Sequence, residues 1–96
     1  MSDMSEIVRG YVYILCSEKT GRYYIGSSSD PERRVKEHNA DLVTATRKRG
    51  PWDLVFSQKY DDTKTAHQVE YKLKRLKSRA IIDRIVSSGN ITIQIG

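Results

Sequence analysis

One segment, Gly10–Ser17 (GYVYILCS), constrains this chain more than any other. It is β-branched and aromatic almost throughout, which favours an extended strand. Successive side chains of a strand point to opposite faces, and here both sets are apolar. Such a strand has to be covered on both sides, so it reads as interior. Glu18–Gly21 (EKTG) is a turn signal, and Arg22–Ser28 (RYYIGSS) reads as a second strand. So short a connection implies an antiparallel hairpin.

The remaining chain supplies what must cover that hairpin. Asp30-Pro31 is an N-cap followed by proline at the first helical position, with Glu32 in the first turn, and predicts a helix from about 31 to 40. Residues 41–51 (DLVTATRKRGP) read as a loop, and Trp52–Tyr60 alternates as a third strand. Thr65 and Gln68 have capping-box spacing at the start of a second helix. Its apolar stripe is Ala66, Val69, Leu73 and Leu76. Ser78 caps a third helix carrying Ile81, Ile82, Ile85 and Val86, which stops at Gly89. The order ββαβαα gives an α+β fold: a small three-stranded, mainly antiparallel sheet flanked by three helices. Residues 1–9, polar and aperiodic, are expected to be disordered, and residues 10–89 to form one domain. Residues 90–96 (NITIQIG) are a tail or an edge strand.

Charge and composition narrow the function. The 17 Lys+Arg against 12 Asp+Glu leave a net +5, which suits a polyanionic partner. No run approaches the ~20 apolar residues of a membrane helix. The N-terminus MSDMSEIVRG lacks an apolar signal region, so secretion is not expected. A single Cys (Cys16) and two His exclude an internal disulfide framework and a four-ligand structural zinc site. A cytoplasmic location follows as the expectation.

Three features remain once the core pattern is subtracted. Tyr11 and Tyr13 share one face of the first strand, and Tyr23 and Tyr24 return on the second, followed by Gly26, where an in-strand glycine marks a close approach. The tyrosines are either packing residues with hydroxyls at a rim or part of a site. Arg34 and His38, four apart on one helix face, are either a phosphate fork with a proton-transfer group or part of a solvated basic face. Glu70 borders the apolar stripe of the second helix, where a carboxylate must pair or bind a metal. It either bridges to Lys74 or His67 or holds a Mg²⁺ completed by water and phosphate. The loop cations Arg47, Lys48 and Arg49, together with Lys74, are candidate phosphate contacts.

In their order and spacing these residues resemble the GIY-YIG nuclease family, in its small stand-alone branch. Tyr11-Val12-Tyr13 stands in place of the first triplet and Tyr24-Ile25-Gly26 matches the second. The phrase from Tyr24 through Asp30-Pro31-Glu32-Arg33-Arg34 to His38 follows the family's continuation, and the likeness extends over about residues 10–86. The resemblance implies a metal-dependent endonuclease hydrolysing DNA phosphodiesters, in repair or recombination, with RNA not excluded as substrate. It assigns Tyr13, Tyr24, Arg34, His38 and Glu70 to catalysis, with Mg²⁺ or Mn²⁺ on Glu70. Tyr13 is the favoured general base. Tyr11 replaces the usual glycine, and no additional DNA-binding domain is expected, so structure-directed cleavage is anticipated over a long recognition site. The alternative is a non-catalytic module of the same fold that binds nucleic acid or protein.

Overall fold

The structure is a computed structural model that describes residues 9–91. The expected disordered start lies outside the described residues except for Arg9, and the expected edge strand beyond Ile91 does so too. The sheet contains β1 (Gly10–Ser17), β2 (Tyr23–Ser28) and β3 (Trp52–Tyr60) in the order β2-β1-β3. Both neighbours of β1 run antiparallel to it. The helices are α1 (Pro31–Asn39), α2 (Thr63–Leu76) and α3 (Arg79–Ser88). No helix among the described residues is long and apolar enough to cross a membrane.

The central position of β1 explains its doubly apolar sequence. Val12 and Ile14 enter one core with Phe56, Ala66, Val69, Leu73, Ile82 and Ile85, beneath α2 and α3. Tyr13 and Leu15 point the other way and pack with Trp52, Tyr24, Val35 and Leu54 on the side covered by α1. All four β1 residues are at most 1% exposed. Hydrophobic burial of this kind stabilises by roughly 1.5–3 kcal/mol per large side chain. A bulge between Ile14 and Leu15 shifts the β3 register, so Phe56 lies opposite Ile14 and Leu54 opposite Leu15.

Local chemistry sets the helix ends. Asp30 accepts from the Arg33 amide at the start of α1, and Pro31 follows it. Ser78 accepts from the Ile81 amide, and Gly89 ends α3 in the left-handed region at φ 74°. The cap of α2 differs from expectation. Asp62, in extended conformation, accepts from the Thr65 amide, and the helix starts at Thr63. Asp outranks Thr at this position, so the residue upstream of the expected Thr65–Gln68 box takes the role. The 41–51 loop contains a short 3-10 turn at Thr44–Thr46. Its far end is fastened where the Asn39 amide donates to the Trp52 carbonyl and its carbonyl oxygen accepts from the Trp52 amide, at 3.0 and 2.7 Å.

Gly10 shows how closely α2 approaches the sheet. A Cβ there would lie 2.7 Å from the Thr63 Cα and 2.8 Å from the Ala66 Cβ. Backbone cannot yield as a flexible side chain can, so Gly10→Ala is expected to destabilise by about 1–3 kcal/mol. Thermal unfolding should show Tm lowered by about 4–8 °C for each kcal/mol lost; an unchanged Tm would contradict this packing.

Candidate active site

The register of the β1–β2 hairpin decides which side chains can meet. Tyr13 lies opposite Gly26 and Leu15 opposite Tyr24, so Tyr13 and Tyr24 share the α1 face. Their ring centroids are 6.5 Å apart. Val12 lies opposite Ser27, which therefore points to the α2 face. The absent side chain of Gly26 is what admits the Tyr13 phenol, because a Cβ at Gly26 would overlap its hydroxyl. The close approach expected at this glycine is met by a group from within the chain.

On the α1 face the tyrosines meet His38, which is fully buried. The His38 ring lies 4.9 Å from Tyr24 and 6.0 Å from Tyr13 by centroid. Its Nε2 is 3.0 Å from the Tyr13 hydroxyl, and its Nδ1 is 2.7 Å from the Thr46 hydroxyl. Thr46 in turn donates to the Val43 carbonyl at 3.4 Å. That last donation assigns the hydrogens along the chain: His38 donates from Nδ1 to Thr46, leaving Nε2 to accept from Tyr13. Burial chiefly holds the His38 pKa below its ordinary 6.5. The Arg34 cation adds to this and Glu37 opposes it. His38 is thus a neutral acceptor, and the solvated-face alternative does not apply to it.

Arg34 is one turn back on α1, with a side chain one-third exposed. Its Nη1 donates to the Glu37 carboxylate at 2.7 Å. The guanidinium lies near the Tyr13 hydroxyl, and Glu37 and Tyr13 both favour its charged form. Tyr13, 1% exposed, has its pKa raised above 10 mainly by burial, with the neighbouring Arg34 opposing. The phenol is therefore neutral and donates to His38, with Arg34 close by.

Across the edge of β2, Glu70 comes from α2 and is 8% exposed. Oε1 accepts from the Ser27 hydroxyl at 2.6 Å and lies 3.4 Å from His67 Nδ1. Oε2 is bridged by the Lys74 ammonium, one turn along the helix. Lys74 Nζ also lies 5.6 Å from the Tyr24 ring centroid, which joins the carboxylate to the phenols. Glu70 is near enough to raise the Tyr13 pKa. Both pairing partners expected from the sequence are thus present.

The donor set fits a divalent ion of the Mg²⁺ or Mn²⁺ kind. Glu70 and Ser27 offer hard oxygen ligands, and a cation already occupies Oε2 in the form of Lys74. No group of three or more His, Cys, Asp and Glu suited to a metal occurs among the described residues. Water and substrate oxygens would have to complete the shell. The Lys74 side chain is 45% exposed, so its ammonium can turn to solvent where an ion would take its place on Oε2.

Five of the expected residues, Tyr13, Tyr24, Arg34, His38 and Glu70, converge here, with Lys74. Arg47, Lys48 and Arg49 do not enter this cluster: they are exposed on the loop that Thr46 ties to His38. Reading the sequence missed Ser27, Glu37 and Thr46. Strand alternation could have turned Ser27 toward α2, and helix spacing could have paired Glu37 with Arg34. Thr46 carries no sequence signal beyond its place in a hydroxyl-bearing loop.

A depressed His38 pKa has a consequence for stability. Between pH 6.5 and the lower folded value, the unfolded chain takes up a proton that the native protein does not. Stability should therefore fall as pH is lowered through this window, and be unaffected by His38 above it. Urea midpoints measured from pH 7 downward, with NMR titration of the His38 ring, check this. Titration of His38 at or above 6.5 would contradict its burial as a neutral acceptor.

Comparison with known proteins agrees with this geometry. The GIY-YIG catalytic domain model matches residues 9–82. A UPF0213 protein of Natronomonas pharaonis is 40% identical over 79 residues, covering 80% of this chain and 89% of the relative. The structure-specific endonuclease subunit SLX1 of Meyerozyma guilliermondii is 38% identical over 74 residues; the match covers 70% of this chain but only 25% of SLX1. The solution structure of the UPF0213 protein BH0048 from Bacillus halodurans superposes with a TM-score of 0.54 at 36% identity, over 85% of this chain and 87% of that one. The family model spans the hairpin, α1, β3 and α2 that build the cluster, and the chain belongs to the GIY-YIG family.

Proposed function

We propose that this protein is a divalent-metal-dependent endonuclease that cleaves DNA phosphodiesters, working in repair or recombination. The observation that carries the reading is the gathering of Arg34 and Tyr24 about the Tyr13 phenol seated over Gly26, with Glu70 joined to Tyr24 through Lys74. The name of the SLX1 relative supports a nuclease acting on nucleic-acid structure. Within this reading Glu70, with Ser27 beside it, holds the metal. When bound, the ion neutralises charge on the phosphoryl group and the leaving 3′-oxygen.

The protein's own groups perform the rest. Arg34, oriented by Glu37 and by the Tyr13 hydroxyl, meets a non-bridging phosphate oxygen with a guanidinium that is charged at every working pH. Tyr13 is too buried, and its proton too firmly held, to take one from water. Partly exposed Tyr24 can reach a water molecule, which its oxygen orients, and as the phenolate, its own proton released to solvent, it takes the proton of the nucleophile. This moves the general-base role from Tyr13 to its neighbour. Tyr13 and His38 instead hold Arg34 and the Tyr24 ring in place. In-line attack of the water breaks the bond to the 3′-oxygen and leaves a 5′-phosphate.

Incubation of supercoiled plasmid with Mg²⁺ or Mn²⁺ tests this. Wild type should nick slowly, and Glu70→Ala should abolish nicking. Arg34→Ala should lower the rate about 10²–10³-fold, the range for losing one preorganised charge-stabilising donor. Tyr24→Phe should cost about 10²–10⁴-fold, as for loss of a proton-transfer group, and more than Tyr13→Phe. Equal nicking by wild type and Glu70→Ala would overturn the reading in favour of a binding module without catalysis.

A further inference from the structure

A second feature adjoins the cluster and takes no part in the chemistry above. Between the edge strand β2 and the corner joining α2 to α3 runs a groove of about 590 Å³. Tyr24 and Lys74 stand at its head, and Arg22, Tyr23, Lys77 and Arg79 line its length. No acidic side chain lines it among the described residues. By contrast, the smaller cavity between β3 and the start of α1 contains Asp30 and Glu32. Four cations with no acid among them make the β2 groove a place for a polyanion; the cavity lined by Lys72 and Arg75 carries two.

Its wall is also shaped for more than phosphate. The Arg79 guanidinium lies 4.7 Å from the Tyr23 ring centroid and donates to the Gly21 carbonyl at 2.9 Å. The Tyr23 hydroxyl donates to Asp83 at 2.5 Å. This holds a cation and an aromatic plane together at the groove side, the combination on which an unpaired base stacks. Arg22 and Lys77 are exposed, and neither forms an ion pair among the described residues, so both are available to phosphates.

We propose that this groove binds one unpaired nucleic-acid strand leading away from the cleavage site, so that the preferred substrate is a duplex bearing a single-stranded arm. The proposal rests on the nuclease reading and specifies its substrate. A continuous duplex keeps its bases stacked inside and offers nothing to the Tyr23–Arg79 plane. An unpaired arm presents bases and phosphates together. Lys74 joins the two regions, pairing with Glu70 while its ammonium lies 5.6 Å from the Tyr24 ring centroid in the groove.

Fluorescence anisotropy can test this with a short blunt duplex and the same duplex carrying an oligo-dT arm, in EDTA to prevent cleavage. Wild type should bind the armed duplex about tenfold more tightly, the contribution of roughly one stacked base. The double variant Arg22→Gln/Lys77→Asn should cut that ratio at least about threefold, because it removes the arm's phosphate contacts and leaves the stacking wall. Asn suits Lys77 because the backbone there is left-handed, at φ 48°. The log–log salt dependence of armed-duplex binding should become shallower by about 1.4, as for two phosphate contacts to a single strand. A wild-type ratio near one, or a folded double variant that keeps the wild-type ratio, would overturn the proposal. Wild-type plasmid nicking without an arm preference removes only this groove assignment, whereas an arm preference without nicking removes the nuclease reading and leaves the strand track standing.

Discussion

The arrangement depends on a phenol occupying the space of a missing side chain. Tyr13 reaches across the hairpin and sets its hydroxyl over Gly26, where any Cβ would collide with it. That single contact locates the hydroxyl, which donates to His38 and sits beside the Arg34 guanidinium. Rotating Tyr13 away would leave His38 buried with an unfilled acceptor, at a cost of about 1–3 kcal/mol. The position of the Arg34 guanidinium is thus tied to core packing. Precision of this kind matters because preorganised charge, rather than covalent chemistry, dominates phosphoryl transfer.

The cluster straddles an edge. Tyr13, Tyr24, Arg34 and His38 belong to the face under α1, whereas Ser27, Glu70 and Lys74 belong to the face under α2. In a sheet interior these sets would be separated by backbone. Here β2 is the last strand, so Lys74 of α2, paired with Glu70, can reach around the sheet margin to the Tyr24 ring. The groove with Arg22, Lys77 and Arg79 lies along this open margin.

Much of this was legible in the sequence because it is written in local periodicity. The doubly apolar β1 announced an interior strand, the stripe from Ala66 to Leu73 announced the buried face of α2, and Asp30-Pro31 announced the start of α1. The α2 cap was misplaced because Asp62 and Thr65 both satisfy the local rule, and only the backbone conformation of Asp62 decides between them. Ser27 and Thr46 escaped notice for a different reason. Their partners are 43 and 8 positions away, and the contacts exist only once the chain has folded. The two motif tyrosines look equivalent in one dimension, and burial is what distinguishes them.

The side chain of Asn39 donates to and accepts from the main chain of Trp52. In effect it imitates one residue of a fourth strand. An open sheet border tends to recruit foreign chains, and its first ladder position is where such zippering would start. By filling that position from the end of α1, the amide denies an incoming strand its foothold while fastening both ends of the cationic loop. One small polar group thereby guards against self-association, at a border distant from the one through which substrate would enter.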